Sequence, residues 1–311
     1  MNIRKFVKGK DEQVWLRIGN EAFEEHDDFR PDTMEDMEIW EKDPGFDPLG
    51  MFIAELSGKP AGRIQALVDK QRKDNKGFVR ALGVTPKYRR KGIARKLVFK
   101  ALENLKERGM EAAQCWTRED STACKTLYAS TGFNLIRVFS TMRRDLATIP
   151  TVEKNEDVKI RVIKKDGTDN ELLRWLLNET FSEHFNHRPA TSDEWNHWFK
   201  HPDFDPMGWF IANLDNEPIG FVGTWIDRKF VKYKGIKRGW IDTIGVLKPH
   251  RRKDIGTSLI LRGMEYLKLK GMTEVDLGVD DSNPTTAIML YEKVGFQVIR
   301  KDLTYQKSLT E

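Results

Sequence analysis

The chain has 311 residues, comfortable for two domains, and its 39% hydrophobic and 32% charged residues describe a protein folded throughout rather than a disordered one. Fifty-three Lys and Arg against 48 Asp and Glu leave +5, a mild excess that suits an anionic ligand and is weak ground for nucleic-acid binding, which is not expected. No apolar signal core or bilayer-length run is present, so a cytoplasmic protein away from membranes is expected, and Cys115 and Cys124 are too few for a zinc site, so no metal and two buried reduced thiols are expected.

In chain order, a strand is predicted over 2–7, a helix over 12–25 with Val14, Ile18 and Phe23 on or near one face, and a short helix over 33–40. Two apolar strands follow, 51–55 and 61–68, about the turn Ser57-Gly58-Lys59-Pro60. A polar loop over 70–76 leads to an apolar strand, 78–84, and then to the basic turn Tyr88-Arg89-Arg90-Lys91-Gly92-Ile93-Ala94. The next helix carries Ile93, Leu97, Ala101 and Leu105 on one face and stops at Gly109. A strand over 111–117, a helix over 121–130 and a last strand after Gly132-Phe133 complete the pattern. The polar, proline-containing stretch 148–157 reads as a linker between a domain at 1–147 and a second at 158–311.

The basic turn has a physical use. The first N–H groups of a helix have no internal partner and sit at the positive end of the helix dipole. Gly92 lets the main chain approach a bulky anion, and Arg89, Arg90 and Lys91 add charge, so a pyrophosphate is the natural ligand, although a solvated basic turn reads the same way on this stretch alone. The stretch occurs twice. Asn20, Phe23, His26, Arg30-Pro31, Trp40, Phe46-Asp47-Pro48 and Phe52-Ile53-Ala54 recur at a constant offset of 158 residues, as Asn178, Phe181, His184, Arg188-Pro189, Trp198, Phe204-Asp205-Pro206 and Phe210-Ile211-Ala212. From the fourth strand the offset is 162, which puts four extra residues in a basic segment read as a loop, Lys229 to Arg238. Trp40/Trp198, Phe46/Phe204 and Phe52/Phe210 are expected in the core, and Arg30/Arg188 and Asp47/Asp205 are expected to fix loops.

A strand ending in Val, then Arg-x-x-Gly-x-Ala on a helix N-terminus, then Leu-Tyr-x-x-x-Gly-Phe resembles the GNAT N-acetyltransferase superfamily, whose signature is Gln/Arg-x-x-Gly-x-Gly/Ala. The second copy adds the fuller segment Asn283 to Phe296, and the doubling is similar to tandem GNAT proteins of the mycothiol synthase type. The resemblance implies an α/β fold, a mixed sheet with flanking helices in each of two tandem copies forming a pseudo-dimer, and acetyl-CoA as co-substrate. Pantetheine would bond to the strand edge at Leu82 to Val84, or Ile244 to Val246. Pyrophosphate would rest on the turn Arg89, Arg90, Lys91, Gly92, Ile93 and Ala94, or Arg251, Arg252, Lys253, Asp254, Ile255 and Gly256, with Asn283 joining the cofactor set.

A neutral amine would attack the thioester, and Tyr128 and Tyr291 match the tyrosine that protonates the departing thiolate. Asp242 is the candidate base; its counterpart is Arg80, which cannot serve at neutral pH. Asp254 replaces Gly92 in the second copy and would bring a carboxylate to a pyrophosphate. The halves thus depart from the pattern in complementary ways, and the chemistry is assigned to the second, with acetyl-CoA binding open for both. The expected function is acetyl transfer to a primary amine of a small molecule. The alternative is a non-catalytic acyl-CoA-binding or scaffold protein.

Overall fold

In the computed structural model, which describes residues 1–151, 157–283 and 287–310, the first repeat opens with β1 (Asn2–Lys5), α1 (Glu12–Phe23), α2 (Met34–Glu41), β2 (Met51–Leu56) and β3 (Lys59–Val68). It continues with β4 (Lys76–Val84), α3 (Ile93–Glu107), β5 (Ala112–Arg118), α4 (Thr122–Ser130) and β6 (Asn134–Asp145). The second repeat opens with β7 (Val158–Val162), α5 (Asn170–Thr180), α6 (Ser192–Phe199), β8 (Trp209–Leu214), β9 (Glu217–Trp225) and α7 (Arg228–Lys234). Then follow β10 (Arg238–Val246), α8 (Ile255–Leu269), β11 (Glu274–Asp280), α9 (Ala287–Lys293) and β12 (Gln297–Ser308). Linker positions 152–156, and positions 284–286 of the Asn283 to Phe296 segment, lie outside the described residues.

The mixed α/β architecture with flanking helices is that implied by the resemblance. Helix α7 is a departure, since the basic segment it occupies reads as a loop. Asp227 starts it by accepting from the Phe230 amide at 2.7 Å, and Gly235 ends it at φ +72°.

Two compact units form, one of Met1–Val138 with Asp302–Glu311, the other of Phe139–Lys301. In the first unit the strands lie in the order β1-β2-β3-β4-β5-β12, with β4 and β5 parallel and Asp302–Ser308 antiparallel along Ala112–Arg118. In the second the order is β7-β8-β9-β10-β11-β6, with β10 and β11 parallel and Phe139–Asp145 antiparallel along Glu274–Asp280. Each unit is therefore closed by the last strand of the other repeat. The units part inside β6 and β12, whereas the sequence suggests a division at 148–157. The physical reason is that β5 and β11 each need an antiparallel strand to satisfy their outer backbone, and either last strand can supply it.

Each sheet is covered on both faces. In the first unit Ile64, Val79, Leu97, Leu105 and Ala113 pack on the α3 side, joined by Leu303, Tyr305 and Leu309 from the chain's far end. Trp15, Ile18, Met37 and Ile53 pack on the α1 side. In the second, Val222, Ile241, Leu259, Met264 and Leu277 fill the α8 side and Leu173, Leu176, Trp195, Trp209 and Phe221 the α5 side.

Many repeated polar residues hold loops rather than face a cleft. Arg30 bonds to Asp36 at 2.8 Å as Arg188 does to Glu194, and each carboxylate closes a capping box with Thr33 or Thr191. Asp47 accepts from the Val68 amide and from Arg108 at 2.8 Å; Asp205 accepts from Tyr266 Oη at 2.7 Å and Lys270 Nζ at 2.8 Å. Phe52 and Phe210 are buried, while Trp40, Trp198, Phe46 and Phe204 are half-buried against the core. Cys115 is buried, and Cys124, also expected inside, is only half-buried.

Candidate active site

In each unit the two parallel strands separate part-way along. Strand β4 bonds to β5 only over Lys76–Phe78, and β10 to β11 only over Arg238–Ile241. Beyond those points, among the described residues, Leu82–Val84 and Ile244–Val246 have no strand partner on the side of the gap. The backbone of such an edge is what an extended amide-containing arm pairs with, although Arg89 and Arg251 already donate to the Val84 and Val246 carbonyls. Gly83 and Gly245 let the preceding helices lie against it: a Cβ at Gly83 would stand 3.0 Å from Ala22 Cβ, and one at Gly245 would collide with Thr180 Oγ1.

A β-bulge lies where the strands part. The register of β10 on β9 shifts between Ile241 and Thr243, and that of β4 on β3 shifts opposite Arg63 and Gln65. The extra residue changes the phase of side-chain alternation. Ile241 faces α8 and Gly245 faces α5, so Asp242 and Thr243 stand side by side on the α5 face. By the same shift Arg80 and Ala81 share the α1 face of the first unit.

Solvent reaches the Asp242 side chain, yet the protein that rings it limits hydration and pushes its carboxyl up to about 6. Among the described residues no hydrogen bond or ion pair holds this carboxylate, and the Thr243 Oγ1 beside it is buried without a partner.

The basic turns have the backbone that an anion site needs. Arg90 and Gly92 have φ of +63° and +74°, and Arg252 and Asp254 have +62° and +55°, so each turn curls its amides ahead of α3 or α8. Arg89 and Arg251 spend their guanidinium groups elsewhere. Arg89 donates to Ala22 O at 2.9 Å and Val84 O at 3.3 Å, and Arg251 to Thr180 O at 3.3 Å and Val246 O at 3.0 Å, tying the strand end to the preceding helix. Glu183 is paired with Arg251 at 3.0 Å and Lys248 at 2.7 Å. Arg90 and Lys91 are exposed and carry no ion pair among the described residues. Asp254 does not stand alone, since Lys293 Nζ lies 3.2 Å from Oδ1.

The two tyrosines differ in what surrounds the hydroxyl. Tyr128 faces the Cys115 thiol and packs on Phe133 and Tyr305, and desolvation holds its pKa well above the ordinary value. Tyr291 stands in the α8-side core beside Phe296, with its hydroxyl given to no partner among the described residues, and burial pushes it up to about 12. Asp242 thus lies on the α5 face of the sheet and Tyr291 in the core on its α8 face. A cavity of about 320 Å³ lies away from the β10–β11 gap, on the α8 side, where Asp203, Asp205, Arg228, Tyr266 and Lys270 meet each other.

A model of the acetyltransferase (GNAT) family matches the chain twice, over residues 15–133 and 170–296. The chain belongs to the GNAT family. This tandem GNAT protein is 33% identical over 227 residues to a mycothiol acetyltransferase of Thermobispora bispora, spanning 73% of this chain and 75% of that one. It is 28% identical over 258 residues to a mycothiol acetyltransferase of Mycobacteroides abscessus, spanning 83% and 84%. Its fold matches a tandem GNAT protein from the clavulanic acid biosynthesis pathway with a TM-score of 0.74 at 17% identity, over 100% of this chain and 99% of that one. It is an N-acetyltransferase of the tandem, mycothiol synthase type, and the GNAT fold implies acetyl-CoA as its co-substrate.

The repeat offset makes the two GNAT units comparable residue by residue. Around the gap the first unit has Arg63, Arg80, Trp116 and Arg118 where the second has Phe221, Asp242, Gly278 and Asp280. A Cβ at Gly278 would meet nothing within 4 Å, so the second unit is open where the first carries an indole. The cysteine under Tyr128 corresponds to Leu277, which explains why one tyrosine has a local partner and the other does not. Thr243 and Lys293 are additions that the sequence reading did not single out. Their signals were proximity to Asp242 for the first and an α9 lysine two residues after Tyr291 for the second.

Proposed function

We propose that the protein transfers the acetyl group of acetyl-CoA to a primary amine of a small molecule, with the chemistry in the second unit. The observation that carries this reading is the Asp242 carboxylate, without a partner among the described residues, on the bulge where β10 and β11 part. Mycothiol acetyltransferase relatives support a small-molecule acceptor, and Asp242, Asp280 and the space at Gly278 suit a cationic amine entering from the α5 face.

The edge of Ile244–Val246 would hold the pantetheine arm, and the amides of Arg252 to Gly256, with Lys253 and Lys293, would hold the pyrophosphate. Asn283, the first residue of the fuller segment, would add a further cofactor contact. Asp242, raised to about 6, is ionised at neutral pH and is a stronger base than an ordinary carboxylate. It takes a proton from the ammonium or from the attacking nitrogen. As the C–N bond forms and the C–S bond breaks, Tyr291, which burial keeps protonated, gives its proton to the departing sulfur. The first unit, with Arg80 for the base and Tyr128 bonded to Cys115, fits the binding or scaffold role instead. Its Leu82–Val84 edge and its Arg90, Lys91 and Gly92 turn leave it a candidate acetyl-CoA site without chemistry.

The test is acetyl transfer measured over a panel of small amines by release of free thiol. Tyr291→Phe is expected to lower kcat by about 10²-fold with KM for acetyl-CoA little changed, and Tyr128→Phe is expected to change kcat little. The reverse ranking would move the chemistry to the first unit, and transfer to no amine would remove the reading. Asp254→Gly removes a negative charge from the turn, so coenzyme A binding to the second unit is expected to tighten about 3- to 10-fold at low salt and less at high salt. Calorimetry checks this, and unchanged affinity would mean that Lys293 already neutralises Asp254.

A further inference from the structure

We propose that the α1 face of the first unit, at the bulge where β4 and β5 part, binds the oxyanion of a small organic molecule, a carboxylate or a phosphate, through Arg80 held against Trp116. The guanidinium carbon of Arg80 lies 5.0 Å from the centre of the Trp116 ring. Both side chains are exposed, Trp116 at 45%. Alternation along β5 explains the meeting: Ala113 and Cys115 point into the α3-side core, so Gln114, Trp116 and Arg118 point to the face on which the bulge places Arg80.

What marks the pair as a binding site is the absence of a counter-charge. Among the described residues Arg80 makes no ion pair or hydrogen bond, and Asp43 and Asp69 act on it only at longer range. Protein rings the group enough to lower its pKa by desolvation, although it remains a full cation at neutral pH. A second cation lies in the same α1-side layer. Arg63 is 6% exposed, stacks on Trp15 at 4.9 Å and donates to Trp15 O at 2.8 Å; among the described residues no carboxylate pairs with it, Asp32 acts only at longer range, and Nε has no partner. Arg118 is neutralised by Asp27 at 2.8 Å and Asp28 at 3.3 Å and adds nothing to this balance.

An under-compensated guanidinium in a partly desolvated place, with a second in the same layer, favours an anion, and a guanidinium laid on an indole still presents its N–H fork to a planar carboxylate or a phosphate. The exposed indole gives an organic body somewhere to rest. The charge is opposite to that of Asp242 at the equivalent bulge, so the two sites select different ligands.

The test is calorimetric titration of the full chain with benzoate and, separately, with inorganic phosphate, each in saturating coenzyme A so that the basic turns are filled. One saturable site is expected, weakened about ten- to hundredfold in Arg80→Gln and unaltered in Asp242→Asn. Binding of benzoate alone would identify a carboxylate, and of phosphate alone a phosphate ester. Affinity for both ions unchanged in Arg80→Gln, with an unaltered near-ultraviolet circular dichroism spectrum, would overturn the proposal. So would the lack of saturable binding of either ion by calorimetry and by ligand-observed NMR.

Discussion

Asp242→Asn is expected to lower acetyl transfer by about 10²- to 10⁴-fold, the range over which a positioned base contributes. In the wild type kcat/KM is expected to rise with pH up to about 6 and then level, because the carboxyl is raised to about 6 and must lose its proton to act. In the variant that acidic limb disappears. The same shift has a consequence for stability, with the opposite sign to the usual carboxylate. A carboxyl whose folded pKa lies above its unfolded value opposes folding once it ionises, so the opposition is absent below about 4 and complete above about 6. Asp242→Asn should therefore melt higher than the wild type at pH 7.5 and the same at pH 3.5. Loss of activity with a higher Tm separates removal of a base from damage to the fold. Activity retained at all pH values would remove Asp242 from the mechanism.

A chain ending at Lys301 is expected to lose the first unit while keeping the second. Leu303, Tyr305 and Leu309 are 6%, 8% and 6% exposed in the first unit's core. At about 1.5–3 kcal/mol each, their removal costs roughly 5–9 kcal/mol, comparable with the roughly 5–15 kcal/mol that stabilises a whole domain. Strand β5 also loses its antiparallel partner over Ala112–Arg118. Hydrogen exchange in the shortened chain should show rapid exchange across residues 1–138 and protection across 139–301. Persistent protection of β5 would mean that the first unit stands without β12.

Much of this architecture was legible in the residues because it rests on periodicity and on glycines with specific duties. The repeat, the basic turns with Gly92, the helix end at Gly109 and the contrast of Arg80 with Asp242 can all be read by position. The strand exchange was not legible, because β6 and β12 bury the same positions in the same order and so fit either sheet equally well. Nor was the phase change at the bulge, which follows from how β9 and β10 register rather than from either strand alone. Tyr128 and Tyr291 sit in the same Leu-Tyr-x-x-x-Gly-Phe motif, and what distinguishes them lies on a neighbouring strand, Cys115 in one unit and Leu277 in the other. The charges of Arg89 and Arg251 suggested phosphate contacts; bonds to carbonyls on the preceding helix, distant in sequence, engage them instead.

The closing strand of the first unit also bears on how the protein is made. Gln114 of β5 bonds to Gln306 of β12 across 192 residues of sequence. At about 5–20 residues per second, the ribosome leaves β5 without its native partner β12 for roughly 10–40 s. During that interval β5 either takes up β6, which must later give way, or offers an open edge to a neighbouring chain. Slow synthesis, crowded polysomes or a stall in the second repeat should therefore raise aggregation of this protein more than of one whose first domain closes on itself.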